Sequence, residues 1–135
     1  MAKLCNEGRT SVGVVYLKGE AQPAFYLGLY KNLTEPAVGA VMTDITEAET
    51  PGASGYARQL LADGAWTEGD PGIFTQAQKT FTAVGGDWGS CYGYFITTAA
   101  TGTAGKLVAV EQISDGPYVM NAGVSSKITP KLTVR

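Results

Sequence analysis

The sequence predicts an all-β protein: a single-domain antiparallel β-sandwich, jelly-roll-like or barrel-like, with seven to eight short strands. Glycine is abundant, with 18 among 135 residues, and β-branched and aromatic residues are common, as in folds made of short strands and turns. Turn signals recur about every eight to fifteen residues, a spacing typical of sandwiches and barrels. No window of about twelve residues keeps a helical period. A chain of this length is most simply one domain, residues 1–135.

The segment from Trp88 to Ile113 is predicted to lie at the centre of this fold. It holds two runs rich in aromatic and β-branched residues, joined by the small-residue loop Ala99–Gly105. This pattern indicates two antiparallel strands. Both alternate sets of side chains in Cys91–Thr98 are apolar, which favours a strand covered on both faces. Gly93, between two tyrosines, is expected to let another group approach the backbone closely.

The N-terminal part is predicted to be an arm over residues 1–10, followed by a strand around Val12–Leu17. Ala24–Lys31 is the second strand, with Tyr26 and Tyr30 on one face and leucines on the other. One face should meet the core, and the tyrosine face should be partly covered or form an interface.

A long loop is expected at about 33–54, where the hydrophobic pattern is poor. A loop of this length in a small domain is usually functional or held by a neighbour. Its acidic residues Asp44, Glu47 and Glu49 have two interpretations: ligands of a calcium ion, or a solvated acidic loop. The solvated loop is favoured because the spacing of an EF-hand is absent. Ser54 is interpreted as a turn residue.

The remaining strands follow at short intervals. A broken strand is predicted at Tyr56–Leu61 and Ala65–Thr67, and a mixed one at Ile73–Val84. The chain then turns towards a short segment at Tyr118–Asn121. Val124–Arg135 alternates cleanly between apolar and polar residues, and Pro130 within it suggests a strand at the edge of a sheet.

Charge and hydropathy exclude several classes of function. The formal net charge is −2 and there is no basic run, which argues against nucleic-acid binding. No apolar run approaches the roughly 18 residues that span a bilayer, so no membrane partner is expected. The first eight residues lack the apolar core of a signal peptide, so we expect synthesis and folding in a cytoplasm.

The side-chain chemistry favours a protein without an active site. Histidine is absent, which removes the usual general base and histidine-activated nucleophiles. Asp87 and Glu111 lie near the central hairpin and are considered for paired carboxylate chemistry, but ordinary surface roles are favoured for them. Cys5 and Cys91 are interpreted as free buried thiols, with a disulfide as the alternative. We therefore expect no catalytic residues, no metal and no cofactor.

The two tryptophans have two interpretations. Trp66 and Trp88 could fill the core, or they could join exposed tyrosines in a sugar-stacking platform or a protein interface. Core packing is favoured for each.

Several stretches together resemble a family of small virion proteins of tailed bacteriophages. They occur in the following order along almost the whole chain: residues 1–8 (MAKLCNEG), 27–32 (LGLYKN), 46–48 (TEA), 55–60 (GYARQL), 92–98 (YGYFITT), the apolar strand ending at Glu111, 116–118 (GPY) and 127–132 (KITPKL). Asn32–Glu49 is the part that is hardest to match.

The resemblance implies a non-enzymatic virion structural protein and, within that class, favours a capsid decoration (cement) protein. The expected partners are the major capsid protein and further copies of the chain, with a trimer favoured by capsid symmetry. The expected location is the capsid surface of the virion. A tail or head–tail joining protein is the alternative, and a carbohydrate-binding β-sandwich is the alternative from another class. The candidate interface residues are Lys3, Leu4, Cys5, Asn6, Arg9, Tyr26, Tyr30, Glu47 and Glu49.

Overall fold

The fold was analysed in a computed structural model, which describes residues 2–134. These residues form twelve strands, one α-helix and one 3₁₀ turn. The strands are β1 (Ala2–Leu4), β2 (Phe25–Tyr30), β3 (Gln59–Leu61), β4 (Thr67–Glu68), β5 (Ile73–Thr75), β6 (Lys79–Thr82), β7 (Gly89–Cys91), β8 (Gly93–Thr97), β9 (Leu107–Gln112), β10 (Tyr118–Met120), β11 (Ser125–Ile128) and β12 (Lys131–Thr133). The helix α1 is Asn6–Lys18, and the 3₁₀ turn is Met42–Asp44.

The strands form one large sheet and two small ones. The eight-stranded sheet has the order β3-β2-β8-β9-β1-β12-β5-β4, and the two-stranded sheets pair β10 with β7 and β11 with β6. All pairs are antiparallel except β1 with β12, which is parallel. The predicted β-rich fold is confirmed. Seven to eight strands is too few for residues 2–134, because turns divide several of the predicted strands into pieces of two to four residues.

The central hairpin is confirmed. Strand β8 pairs with β2 on one side and with β9 on the other, and every residue of β8 is buried. A Cβ atom at Gly93 would overlap the ring of Tyr30 and the carbonyl oxygen of Glu111. Gly93 is therefore the close approach that the sequence predicts, since only a residue without a side chain leaves room for the tyrosine.

The prediction for the N-terminus is wrong. Residues 2–10 are not an arm: β1 is an inner strand of the large sheet, and Ala2 is fully buried. Val12–Leu17 is not a strand but the C-terminal half of α1. The helix docks through Gly8, where a Cβ atom would overlap the carbonyl oxygen of Val108. Because the one buried residue of the helix is a glycine, no apolar stripe marks the helix in the sequence.

Apolar side chains cover both faces of the large sheet. The larger cluster includes Leu27, Leu29 and Trp88 and extends to the two small sheets. The smaller cluster lies on the other face and contains Cys5, Tyr30, Ala40, Met42, Phe95, Leu107 and Val110. Tyr30 on the tyrosine face of β2 is thus part of a second core, to which the long loop contributes Ala40 and Met42.

Two predicted strands are each divided in two. Ile73–Val84 is split into β5 and β6, and the chain from Val124 is split into β11 and β12. Pro130 lies at the second break, where the chain passes from a small sheet to the large one, and its carbonyl accepts a hydrogen bond from the Gln76 amide at 3.0 Å. The edge-strand prediction is wrong because β12 lies between β1 and β5. Met1 of the predicted arm and Arg135 of the predicted last strand lie outside the described residues.

The long loop at 33–54 is held by the sheet. Ala48 donates a backbone hydrogen bond to Leu29, and Lys31 donates one to Thr46, so the loop runs beside the end of β2. The loop residues Met42 and Ala48 are buried. Ser54 adopts a left-handed conformation, with φ of 49°, which agrees with its interpretation as a turn residue.

Candidate interaction surface

The nine candidate interface residues fall into two groups. Leu4, Cys5 and Tyr30 are buried inside the chain, so their side chains are not available on its surface. The reason is that β1 is an inner strand, with α1 docked on the neighbouring β9, and that the long loop packs beside β2. The other six are exposed or half-buried: Lys3, Asn6, Arg9, Tyr26, Glu47 and Glu49.

Two of these residues, Lys3 and Asn6, lie beside the start of the long loop. Lys3 forms an ion pair with Glu35, and Glu35 also accepts a hydrogen bond from the Gln112 amide at 3.1 Å. The backbone N–H of Asn6 donates a hydrogen bond to the backbone carbonyl of Val38 at 2.8 Å. The first turn of α1 and the loop are therefore joined. Next to this junction the loop exposes three apolar side chains, which we call the loop surface: Leu33, Val38 and Val41.

Glu47 belongs to a buried polar cluster whose main member, Arg58, was not predicted. The guanidinium of Arg58 donates to both carboxylate oxygens of Glu47 at 2.8 to 3.3 Å. It also donates to the carbonyls of Ala99 and Gly102, both at 2.8 Å. The side chain of Arg58 is 2% exposed and that of Glu47 is 15% exposed. Arg58 thus ties the long loop to the loop between β8 and β9.

Tyr56 completes this cluster from the core side. Its hydroxyl donates to Glu47 at 3.1 Å and accepts from the Leu29 amide at 3.1 Å. Burial, together with the negative charge of Glu47, raises the pKa of Tyr56 above its ordinary range. A groove of about 480 Å³ lies above the cluster, between the long loop and Thr101–Thr103. Because the charges of Arg58 and Glu47 are paired with each other, the role of the cluster is to hold the long loop and the β8–β9 loop in place.

The acidic residues considered as calcium ligands bind neighbouring amides. Asp44 accepts a hydrogen bond from the Val41 amide at 2.9 Å, and Glu49 accepts one from the Thr50 amide at 2.8 Å. Glu47 is occupied by Arg58 and Tyr56. Within residues 2–134, no group of three or more Cys, Asp or Glu side chains is arranged to hold a metal ion.

Asp87 and Glu111, the carboxylates considered as a pair, have separate partners. Asp87 accepts from the Ala122 amide at 2.7 Å, whereas Glu111 accepts from the Tyr94 hydroxyl. Burial, with the hydrogen bond to Glu111, raises the pKa of Tyr94 above its ordinary range. Both contacts join segments that are distant in the sequence, as structural contacts do.

The cysteines are free, and both are buried. Cys5 lies in the smaller cluster and Cys91 in the larger one, on opposite faces of the large sheet. Burial raises the pKa of each thiol to about 11. Both are therefore neutral thiols at physiological pH, as buried structural cysteines are.

Trp88 is a core residue, as favoured from the sequence. Its indole nitrogen donates to the Ser54 carbonyl at 2.9 Å, and its ring meets Tyr56 edge-on with centroids 5.2 Å apart. Trp66 is half-buried and packs against the same cluster. Trp88 is thus unavailable for stacking on a sugar.

The C-terminal half of α1 is the most exposed apolar feature and was not predicted. Tyr16 is 86% exposed and Leu17 is 81% exposed. Grooves of about 580 Å³ and 210 Å³ lie between the helix and the segment that leads into β2. The sequence does contain a signal for this helix end, because Lys18 precedes Gly19 and Pro23 follows shortly after.

No protein-family model matches the chain, and no curated protein matches it. Among residues 2–134, no helix is long and apolar enough to cross a membrane.

Proposed function

We propose that the chain is a non-enzymatic structural protein of a tailed-bacteriophage virion, located on the capsid surface. In this proposal it is a decoration protein that binds the lattice of the major capsid protein and stabilises the head. It also associates with itself, and the symmetry of a capsid favours a trimer. We further propose that the three sheets form a sandwich in the jelly-roll or barrel-like class.

The observation that carries the proposal is an apolar surface on a loop that is already held in place. Leu33 is 71% exposed, yet the loop that carries it is anchored by Arg58, by Glu47 and by buried Met42. A surface that is ordered before binding loses little conformational entropy when it binds. Repetition over a lattice then multiplies a weak contact, so each copy needs only modest affinity.

The major capsid protein is proposed as the partner because of the resemblance to small virion proteins of tailed bacteriophages. Of the stretches that carry this resemblance, 27–32 covers the second part of β2, 92–98 contains β8, and 127–132 spans the passage from β11 to β12. The similarity thus covers the β-sheet body of the chain. The loop surface lies within the part that is hardest to match, as expected if each phage adapts this contact to its own shell.

The test is co-sedimentation with empty shells assembled from the major capsid protein of the phage that encodes the chain. The variant Leu33→Ser/Val38→Ser should bind at least about tenfold more weakly than the natural chain, because apolar anchors dominate interface energies. Val119→Ser is the matched control, since Val119 is an exposed apolar residue on β10, outside this loop. Equal binding by all three proteins would remove the loop surface from the proposal.

Removing residues 2–9 would test the proposal only if these residues formed a free arm. Those residues include β1 and the docking turn of α1, so their loss would disrupt the large sheet.

Particle labelling with a specific antibody distinguishes the positions in the virion. Label on the head surface supports decoration, whereas label at the neck or tail supports the joining role.

A further inference from the structure

The outer part of α1 has no partner within the described residues. The helix has 13 residues, or about 20 Å of length, and its one buried residue is Gly8, near its start. Tyr16 and Leu17 extend into solvent at the other end, and Val12 is also exposed. Gly19, with φ of 71°, ends the helix immediately after them. The exposed end is therefore a complete helical turn with a defined cap.

Two glycines in this helix have different environments. Gly8 is needed inside the monomer, because a Cβ atom would overlap Val108. At Gly13 a Cβ atom would meet nothing within 4 Å. A glycine inside a helix is less stable than alanine by about 0.5–1 kcal/mol, and nothing in the monomer requires it at position 13. A second backbone packed closely against the helix would require it.

The charges on the helix indicate what that second backbone is. Within residues 2–134, Arg9, Lys18 and Glu20 form no ion pair. If two copies of α1 cross antiparallel at Gly13, Arg9 of one copy lies near Glu20 of the other. Because the crossing is two-fold, this pair of opposite charges occurs twice, once at each end of the contact. The antiparallel helix dipoles also oppose each other favourably.

We propose that α1 is a self-association surface, on which two copies of the chain pair antiparallel across Gly13. Tyr16 and Leu17 of each copy enter the grooves beside the helix of the other, which are lined by Val14, Val15 and Pro23. This inference rests on the self-association in the proposed function and gives it a location. The contact is two-fold, so it gives a dimer in free solution, which is distinct from the trimer proposed for the capsid lattice.

The area of the contact sets its strength. A tyrosine buries about 150–250 Å², so the four side chains Tyr16 and Leu17 of a pair bury on the order of 600–800 Å². The groove walls raise the total to about 1,000 Å², the lower limit for a specific interface. The dimer is therefore weak, with a dissociation constant in the micromolar range or above, on the order of 10–100 µM.

Sedimentation equilibrium over a range of concentrations tests the proposal. The mass should rise from that of one chain, 14.1 kDa, towards that of two. Leu17→Ser should weaken the dimer at least about tenfold, whereas Leu33→Ser, an exposed leucine on another element, should leave it unchanged.

Two further variants separate association from folding. Gly13→Ala should raise the thermal midpoint of the monomer and yet weaken the dimer at least about tenfold, since a methyl group separates the helices. Arg9→Glu and Glu20→Arg should each weaken the dimer, and the double variant should restore it. If these residues had only a structural role, Gly13→Ala would not combine a higher thermal midpoint with weaker dimerisation. The double charge variant would then not restore the dimer either.

A chain that stays monomeric at about 200 µM would overturn the inference, as would an oligomer unaffected by Leu17→Ser and Gly13→Ala. A trimeric mass would also overturn it. Shell binding is scored separately in the co-sedimentation assay. Loss of dimer with retained shell binding leaves the proposed decoration role intact, whereas a dimer that never binds shells contradicts that role alone.

Discussion

Replacing Arg58 with methionine should lower the free energy of unfolding by about 3–4 kcal/mol. The change removes a buried guanidinium and leaves the Glu47 carboxylate without its cation. It also leaves the carbonyls of Ala99 and Gly102 without their donors. Methionine keeps much of the volume of the side chain, so the loss measures the polar contacts and not a cavity.

The magnitude follows from the exposure of each partner. Breaking a buried ion pair costs about 3–5 kcal/mol, because the remaining charge has no compensation. Glu47 remains 15% exposed and keeps the Tyr56 hydroxyl at 3.1 Å, which places the cost at the lower end. The guanidinium also lies 5.4 Å from the centre of the Phe95 ring, a cation–π contact of about 0.5–2 kcal/mol.

Urea denaturation followed by tryptophan fluorescence measures the change, since Trp88 is in the core. Lys106→Met is the matched control, because Lys106 forms an exposed pair with Glu7 at 3.5 Å, and its loss should cost less than about 1 kcal/mol. The double variant Arg58→Met/Glu47→Gln should recover part of the loss, because the uncompensated charge is gone. A cost for Arg58→Met as small as that of the control would refute the reasoning.

Gly8→Ala should destabilise the chain by about 1–3 kcal/mol despite the better helix propensity of alanine, because the new methyl group meets the Val108 carbonyl; a stability gain in urea denaturation would contradict this docking. Tyr30→Phe should leave stability unchanged or raise it by up to about 1 kcal/mol, since the Tyr30 hydroxyl is buried with no hydrogen-bond partner within residues 2–134; a loss above about 1 kcal/mol would reveal such a partner. Burial raises the pKa of the Cys5 and Cys91 thiols from 9.0 to about 11. The free energy of unfolding that each neutral thiol contributes is therefore complete below pH 9, and about 2–3 kcal/mol per thiol is lost as the pH rises towards 11. Urea denaturation between pH 8 and 10 should show this fall in the natural chain and a smaller one in Cys5→Ala/Cys91→Ala; equal slopes would show that the thiols are not the cause.

The β-sheet body could be predicted because its strands carry their own signal. Strands β8 and β9 are apolar on both faces, and their joining loop consists of small residues, so pattern and position agree. Helix α1 could not be predicted, because Val12, Val14 and Val15 favour strands and the docking residue is Gly8. Strand β1 has three residues, too few for any period, and its place next to β9 and β12 is decided by contacts over the length of the chain.

The candidate surface was predicted only in part for a related reason. The sequence predicts an arm that carries Lys3, Asn6 and Arg9, but it is the fold that sets Lys3 and Asn6 against the loop. Arg58 gave no signal, because a lone arginine in a strand pattern normally has a solvated end. Its role depends on Glu47 and on the carbonyl groups of a loop about forty residues away, a meeting that no local pattern contains.

Quantitative mass spectrometry of purified particles of the phage that encodes the chain tests the virion role most directly. The account expects the polypeptide in intact particles at a high and fixed ratio to the major capsid protein, as a lattice of binding sites requires. Particles that are complete and infectious without the polypeptide, or that hold only a few copies of it, would contradict capsid decoration.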